Sequence, residues 1–351
     1  MNNEDSATPW SKLSLFLSHD ILKRRYQDRH GRDLSAAKAK EIISHLEQAR
    51  QYFTSAQSAG VLAGPLEQYY GVLAFSRAII LYLNPSLRET SLKPGHGLHA
   101  HLPSDGSVED IQLEVRGGTF DELLDATGNF ELATYDDHTA GIMIPNLKQA
   151  VRTLPRPPTG STFSLLDLLG RIPELRQHFE EALLRPALCY AGYVHLLMGA
   201  LSVTIWRQKY ELPALEILRD QLKIDRSASA MVSPNESAVF TVQLSVGNSA
   251  GDFLPSMFTS RSGEHFLVER FPGGWALSEI ASYFAASHVL SMLVRYYPSR
   301  WASMVNHEKG DHLLPVLERM RTLIQSEFAR LVMWVLEETP LRERETGSSE
   351  A

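Results

Sequence analysis

At 351 residues, 44% apolar and 21% charged, the chain has the composition of a globular protein with a buried core, which excludes disorder, a collagen-like repeat and a coiled-coil rod. Its net charge of −7 supplies no global field for nucleic acid, and the single cysteine, Cys189, excludes an intrachain disulfide and a thiolate zinc cage. The opening residues, MNNEDSATPW, carry acidic side chains and no apolar run, so they do not read as a secretion signal, and a reducing cytoplasm is the expected location.

Residues 1–34 read as an N-terminal segment, partly disordered, whose basic group Lys23, Arg24, Arg25, Arg29 and Arg32 suits a solvated helix face. Ser35 can cap an amphipathic helix to about residue 57, with Ala39, Ile42, Ile43, Leu46, Ala49 and Phe53 along one stripe. From Pro65 to about Leu83 the sequence is apolar on nearly every face, as in a helix surrounded by protein; Pro65 suits its first turn and Asn84-Pro85 ends it. Beyond Lys93 the character changes. Ile111, Leu113 and Val115 alternate with Gln112, Glu114 and Arg116 before Gly117-Gly118, a strand running into a turn. Arg152 to Gly160, with its prolines, reads as a linker.

Ser164 and Asp167 have capping-box spacing, and Phe163 with Leu168 would form the hydrophobic staple of the same helix. Another helix is expected from Pro173 through Leu183 and Leu184 toward the stretch Pro186 to Trp206, which lacks Asp, Glu, Lys and Arg. That is membrane-spanning length, but Tyr190, Tyr193, His195, Ser202 and Thr204 lower its hydrophobicity, so a buried central helix and no membrane are expected. Ala238 to Val246 alternates strictly, with Phe240, Val242, Leu244 and Val246 on one face, and Met257 to Thr259 with Phe266 to Val268 can form a hairpin beside it. Ser278 should cap a helix to about Tyr297, a short piece spans Pro298 to Val305, and Asp311 should cap the last helix. The seam of that helix, Leu313, Leu317, Met320, Ile324, Phe328, Leu331 and Val335, suits a partner helix or a second copy of the chain, which leaves a homodimer open. The expected fold is therefore α+β and predominantly α-helical: a helical-bundle core over residues 35–338 with a small antiparallel β insertion, irregular or β stretches at about 93–158 and 236–274, and a disordered tail at 339–351.

Tyr69-Tyr70-Gly71 and the apolar helix to Leu83-Asn84-Pro85, then Gly95-His96-Gly97-Leu98, Phe163 through Leu169, Arg171 through Leu175, and Ser291 through Arg295-Tyr296-Tyr297-Pro298 to Trp301 follow one another in the order of the YaaC-like family of bacterial proteins. The resemblance covers about residues 45 to 335. It implies a cytoplasmic helical protein and carries no established activity. A looser resemblance is to HEPN-type helical bundles, many of which are metal-independent ribonucleases with Arg and His a few residues apart. On that resemblance Arg300 and His307 would be the catalytic pair, with His as general acid/base and Arg holding a phosphate. Arg24 and Arg25 with His30, and Arg171 with His178, have similar spacing, so only location before the last helix distinguishes Arg300 and His307.

Arg77 is the only charge between Glu67 and Arg88, on a helix that reads as buried, so it must be paired or face a polar cavity. With His96 and Arg295 it would converge on an anionic ligand. His96, His99 and His101 are close in sequence, but on a strand His99 and His101 share a face that His96 does not, so neither a metal site nor a cofactor is expected. Gly95-x-Gly97-x-x-Ala100 follows Pro94 and a loop instead of a strand, and His307-Glu308 with His312 has the wrong spacing for a zinc protease helix. No phosphate loop and no Gly-x-Ser-x-Gly elbow occurs. The expected function is a ligand- or partner-binding protein, its partner an unknown protein or an anionic ligand. The alternative is a HEPN-like ribonuclease acting on RNA in stress or phage defence; whether the chain is an enzyme at all stays open.

Overall fold

The computed structural model describes residues 9–137, 146–197, 200–207, 209–222, 229–233, 237–243, 257–259 and 264–338. Helix α1 (Pro9–Leu13), a 3-10 turn (Ser14–Leu17) and α2 (His19–His30) pack Leu13, Phe16, Leu22 and Tyr26 into the core, and Arg25 of α2 donates to Glu337 at 2.7 Å. Lys23, Arg24, Arg25 and Arg29 of the basic group therefore lie on a helix tied to the far end of the chain, and Arg32 follows it. Helix α3 (Ala36–Ser58) starts where expected, because the Ser35 side chain accepts from the backbone N–H of Lys38. Its stripe of Ala39, Ile42, Leu46, Ala49 and Phe53 is buried.

Helix α4 (Gly60–Leu83) starts five residues before the expected Pro65. Gly60, at φ 70°, turns the chain from α3 straight into α4, a conformation glycine adopts without penalty. Pro65 cannot donate to the carbonyl of Val61, and the indole Nε1–H of Trp301 donates to that oxygen instead, at 3.2 Å. A side chain 240 residues away thus makes an interior proline tolerable.

The next stretch holds β1 (His96–His101), β2 (Gln112–Gly118), α5 (Thr119–Thr127), β3 (Phe130–Asp137), β4 (Asn146–Thr153) and β5 (Thr162–Ser164). Gly117-Gly118 leads into α5, where a turn was expected. β1, β2 and β5 form an antiparallel three-stranded sheet. Helix α6 (Leu165–Leu169) carries the capping box of Ser164 and Asp167. A 3-10 turn (Pro173–Leu175) then leads to α7 (Arg176–Leu183).

The uncharged stretch expected to be a central helix is an antiparallel pair, β6 (Cys189–Leu197) and β7 (Ala200–Trp206). Leu201, Val203 and Ile205 are buried while Ser202 and Thr204 alternate with them half-buried, a period of two that the missing charges had masked. After α8 (Leu215–Leu222) come β8 (Ser229–Ser233), β9 (Ser237–Gln243), β10 (Met257–Thr259) and β11 (His265–Val268). Strand β9 matches the alternating segment, although Leu244 and Val246 lie outside the described residues. The β10–β11 hairpin forms, but β11 pairs with β6, so the hairpin lies across the sheet from β9. The order is β10-β11-β6-β7-β9-β8, and the β3–β4 hairpin joins through a parallel contact of β3 with β6. Leu218 and Leu222 of α8 pack with Tyr190, Val203 and Phe240 in a core of their own.

Helices α9 (Glu279–Tyr296), α10 (Pro298–Val305) and α11 (Leu314–Glu338) complete the bundle, in which α4 touches α3, α9 and α11. Asp311 does not cap α11. Gly310 precedes a 3-10 turn (Asp311–Leu313) that runs into the helix, and the Asp311 carboxylate faces His307 at 3.6 Å. The seam of α11 is buried by the chain's own helices, including α4 and α9, so it is not left open for a second copy. The fold is α+β and predominantly helical, and among the described residues no helix is long and apolar enough to cross a membrane.

Candidate functional site

Eight residues along α4, Tyr69 and Arg77 share a face; seven residues along α9, His288 and Arg295 share another; and β1 opens on His96. These five meet where α4 crosses α9. The Tyr69 ring lies 5.4 Å from His96 and 5.4 Å from His288, and the two imidazoles are 5.7 Å apart. Arg77 and Arg295 are close enough to act on both His96 and Tyr69. The trio named from sequence, Arg77, His96 and Arg295, is therefore brought together, with Tyr69 and His288 beneath it.

The electrostatics of this cluster are one-sided. Burial, then the charges of Arg295 and Arg77, hold His96 below the usual imidazole range. Burial, then His96, His99 and Arg295, lower His288 to about 3. Burial pushes the Tyr69 phenol up. Near neutral pH the site holds two guanidiniums, two neutral imidazoles and a neutral phenol, and no carboxylate is among the charges that shift them. Buried atoms without a hydrogen-bond partner gather here: the Tyr69 hydroxyl, Arg77 Nε, His96 Nδ1 and both ring nitrogens of His288. Orphaned polar atoms cost about 1–3 kcal/mol each, so a group of them marks a place where water or a ligand belongs. Arg295 is exposed and His96 half-buried, which opens the site to solvent at that end.

Arg300 and His307 stand elsewhere. The Arg300 guanidinium donates to the carbonyls of Gly106 and Ser104. The His307 side chain is 70% exposed, with Nδ1 toward Asp311. No hydrogen bond or ion pair joins Arg300 to His307. His99 and His101 lie exposed on one face of β1. Cys189 is buried and its thiol is pushed up to about 12, so it is no nucleophile near neutral pH.

A second polar cluster draws on β3, the Pro173–Leu175 turn, α9 and α11, and no motif in the sequence marks it as a set. Glu131 accepts from the backbone N–H of Glu279 at 2.7 Å, at the N-terminus of α9. Arg330 donates to Glu327 at 2.8 Å and lies 3.4 Å from both carboxylate oxygens of Glu279. Burial, opposed by Arg330 and reinforced by neighbouring carboxylates, pushes Glu279 up to about 8; burial and Glu131 push Glu174 up to about 7. The folded chain therefore keeps protons that an unfolded chain gives up near 4.5, so the stabilisation is full below that pH and is lost as pH rises through about 7 and 8. In melts from about pH 5 to about pH 9, Glu279→Gln should gain on the order of 5 °C over the wild type at the alkaline end and nothing at the acid end. Parallel curves for the two proteins would show that Glu279 is ionised throughout.

The fold is that of a mainly helical α+β protein in which an arginine–histidine cluster lies where α4 meets α9. The model of the YaaC-like protein family matches residues 6–335, and the chain belongs to that family. The match takes in α1 and α2 as well, upstream of the motifs that carry the resemblance. No curated protein and no solved structure matches the chain.

Proposed function

We propose that this YaaC-like chain is a cytoplasmic binding protein whose ligand is a small anion, held by Arg77, Arg295 and His96 with Tyr69 and His288 as hydrogen-bonding floor. The observation that carries this reading is the group of unpartnered buried polar atoms around Tyr69, His96 and His288, beside which the charges of Arg77 and Arg295 act. An oxyanion would accept from Arg77 Nε and the Tyr69 hydroxyl, and each imidazole can donate from one nitrogen. Arg300 and His307 have no part in it.

Sulfate is a suitable probe because its charge is constant over the range in which imidazoles titrate. Its affinity, measured by calorimetry or thermal shift, should fall about tenfold in each of Arg77→Ala and Arg295→Ala, with native circular dichroism retained. Anion binding favours the charged imidazole, so affinity for sulfate should rise as pH falls below about 6.5. Equal sulfate responses in the wild type and both variants would sink the proposal.

A further inference from the structure

Hydrogen-bond donors and acceptors around His288 narrow the choice of anion. The ring is 3% exposed on α9, and neither of its nitrogens has a hydrogen-bond partner. His96 and His99 of β1 and Arg295 of its own helix are the groups that act on it; none is acidic, and with burial they keep the ring uncharged. A neutral imidazole has one N–H and one bare lone pair, whichever tautomer it adopts. One buried nitrogen of His288 is therefore an acceptor to which no protein group donates. Tyr69, 0% exposed with its ring 5.4 Å away, adds a second, because its unpartnered hydroxyl has lone pairs as well as a proton. Granted the anion site proposed above, on which this rests, we propose that the ligand is inorganic phosphate in its monohydrogen form, held with its O–H donating to His288.

Charge and proton count select this species together. Arg77 and Arg295 both act on Tyr69 and His96, and two guanidiniums suit a dianion. A dianion without a proton offers acceptors alone, so sulfate or a phosphate monoester would set an anionic oxygen against the bare nitrogen of His288. Monohydrogen phosphate has nearly the size and shape of sulfate. Its O–H satisfies that nitrogen, while its other oxygens accept from Arg77 Nε and the Tyr69 hydroxyl. Bicarbonate keeps an O–H but carries a single charge. A buried acceptor left facing an anionic oxygen costs its desolvation, which is worth about tenfold in affinity or more. Arg295 is exposed, so the ligand enters from that end of the site.

The test is calorimetry on the full chain at about pH 8, where phosphate is chiefly the dianion with one O–H, against sodium sulfate and sodium monofluorophosphate. Monofluorophosphate has the same charge and puts fluorine where phosphate has its hydroxyl. Phosphate should bind about tenfold more tightly than either. His288→Gln keeps a donor and an acceptor on one amide and should keep the preference, whereas His288→Phe removes both and should narrow it to under about threefold. The ratio of affinities is the readout because a merely structural role for His288 would weaken all three anions alike. The wild-type comparison needs no variant and decides the point even where His288→Phe fails to fold. Equal affinities for the three anions, monofluorophosphate binding as tightly as phosphate, or a ratio unchanged in His288→Phe would overturn the phosphate assignment. Sulfate binding that still falls in Arg77→Ala would then show that the anion site stands without it, and no response to any of the three anions would remove both.

Discussion

Arg171→Ala should lower stability by about 2–4 kcal/mol, because it removes a buried guanidinium that serves three carbonyls and a partly exposed carboxylate. Arg171 is 8% exposed. Its Nε donates to Glu269 O at 3.0 Å, one terminal nitrogen to Asp167 O at 2.8 Å and Oδ1 at 3.2 Å, and the other to Arg270 O at 3.1 Å. The guanidinium lies 4.2 Å from the centre of the Phe271 ring, which stacks on Trp275 at 4.0 Å. It therefore clamps the end of α6 to the chain leaving β11, where the bundle meets the large sheet. Truncation would take this donor from three carbonyls, those of Asp167, Glu269 and Arg270, and leave the Asp167 carboxylate with its Ser164 contacts alone. Lysine cannot supply the planar fork, so Arg171→Lys should recover less than half of the loss. Urea unfolding of the three proteins measures this directly; a cost under about 1 kcal/mol for Arg171→Ala would mean that water replaces the guanidinium. The Arg171 to His178 spacing that resembles a catalytic pair is thus explained by packing.

What was legible in the sequence follows from which forces are local. Capping by Ser35 and by Ser164 with Asp167 is a contact within one turn, so it reads directly. The burial of α4 also reads, because a helix apolar on all faces has one physical solution. The stretch 186–206 misled because absence of charge reports burial, and burial is common to a central helix and a covered strand; the alternation of Leu201, Val203 and Ile205 was the discriminating signal. Arg77 could be singled out as a charge in an apolar helix, and His96 and Arg295 by family position, but Tyr69 and His288 look like ordinary core residues until α4 and α9 cross. The glutamate cluster was invisible as a set because its members come from four elements. One member could have been noticed: Glu327 interrupts the apolar face of α11 beside Ile324, Phe328 and Leu331, and it is 3% exposed.

Gly118→Ala tests how the sheet delivers His96 to the proposed anion site. Gly118 has φ 149° and ψ −162°, a region essentially reserved for glycine. A Cβ there would sit 2.4 Å from the Gly97 nitrogen, 2.8 Å from its Cα and 3.0 Å from the Gly95 carbonyl, all backbone atoms that cannot rotate aside. His96 pairs with Gly118, and the register slips between His96 and Leu98, so this close crossing fixes where the chain enters β1 and which way it presents the imidazole. Thr119 holds the same crossing from the other side, its N–H and hydroxyl both donating to Gly95 O, at 3.2 and 3.1 Å. The substitution should cost about 3 kcal/mol, and sulfate binding should weaken in the fraction that remains folded, because His96 moves away from Tyr69 and His288. Gly117→Ala is the internal comparison: nothing lies within 4 Å of its added Cβ, so its cost should stay under about 1 kcal/mol with sulfate binding unchanged. Equal behaviour of the two variants would show that β1 tolerates displacement. A destabilised Gly118→Ala with full sulfate affinity would instead take His96 out of the site and leave the anion to the two arginines.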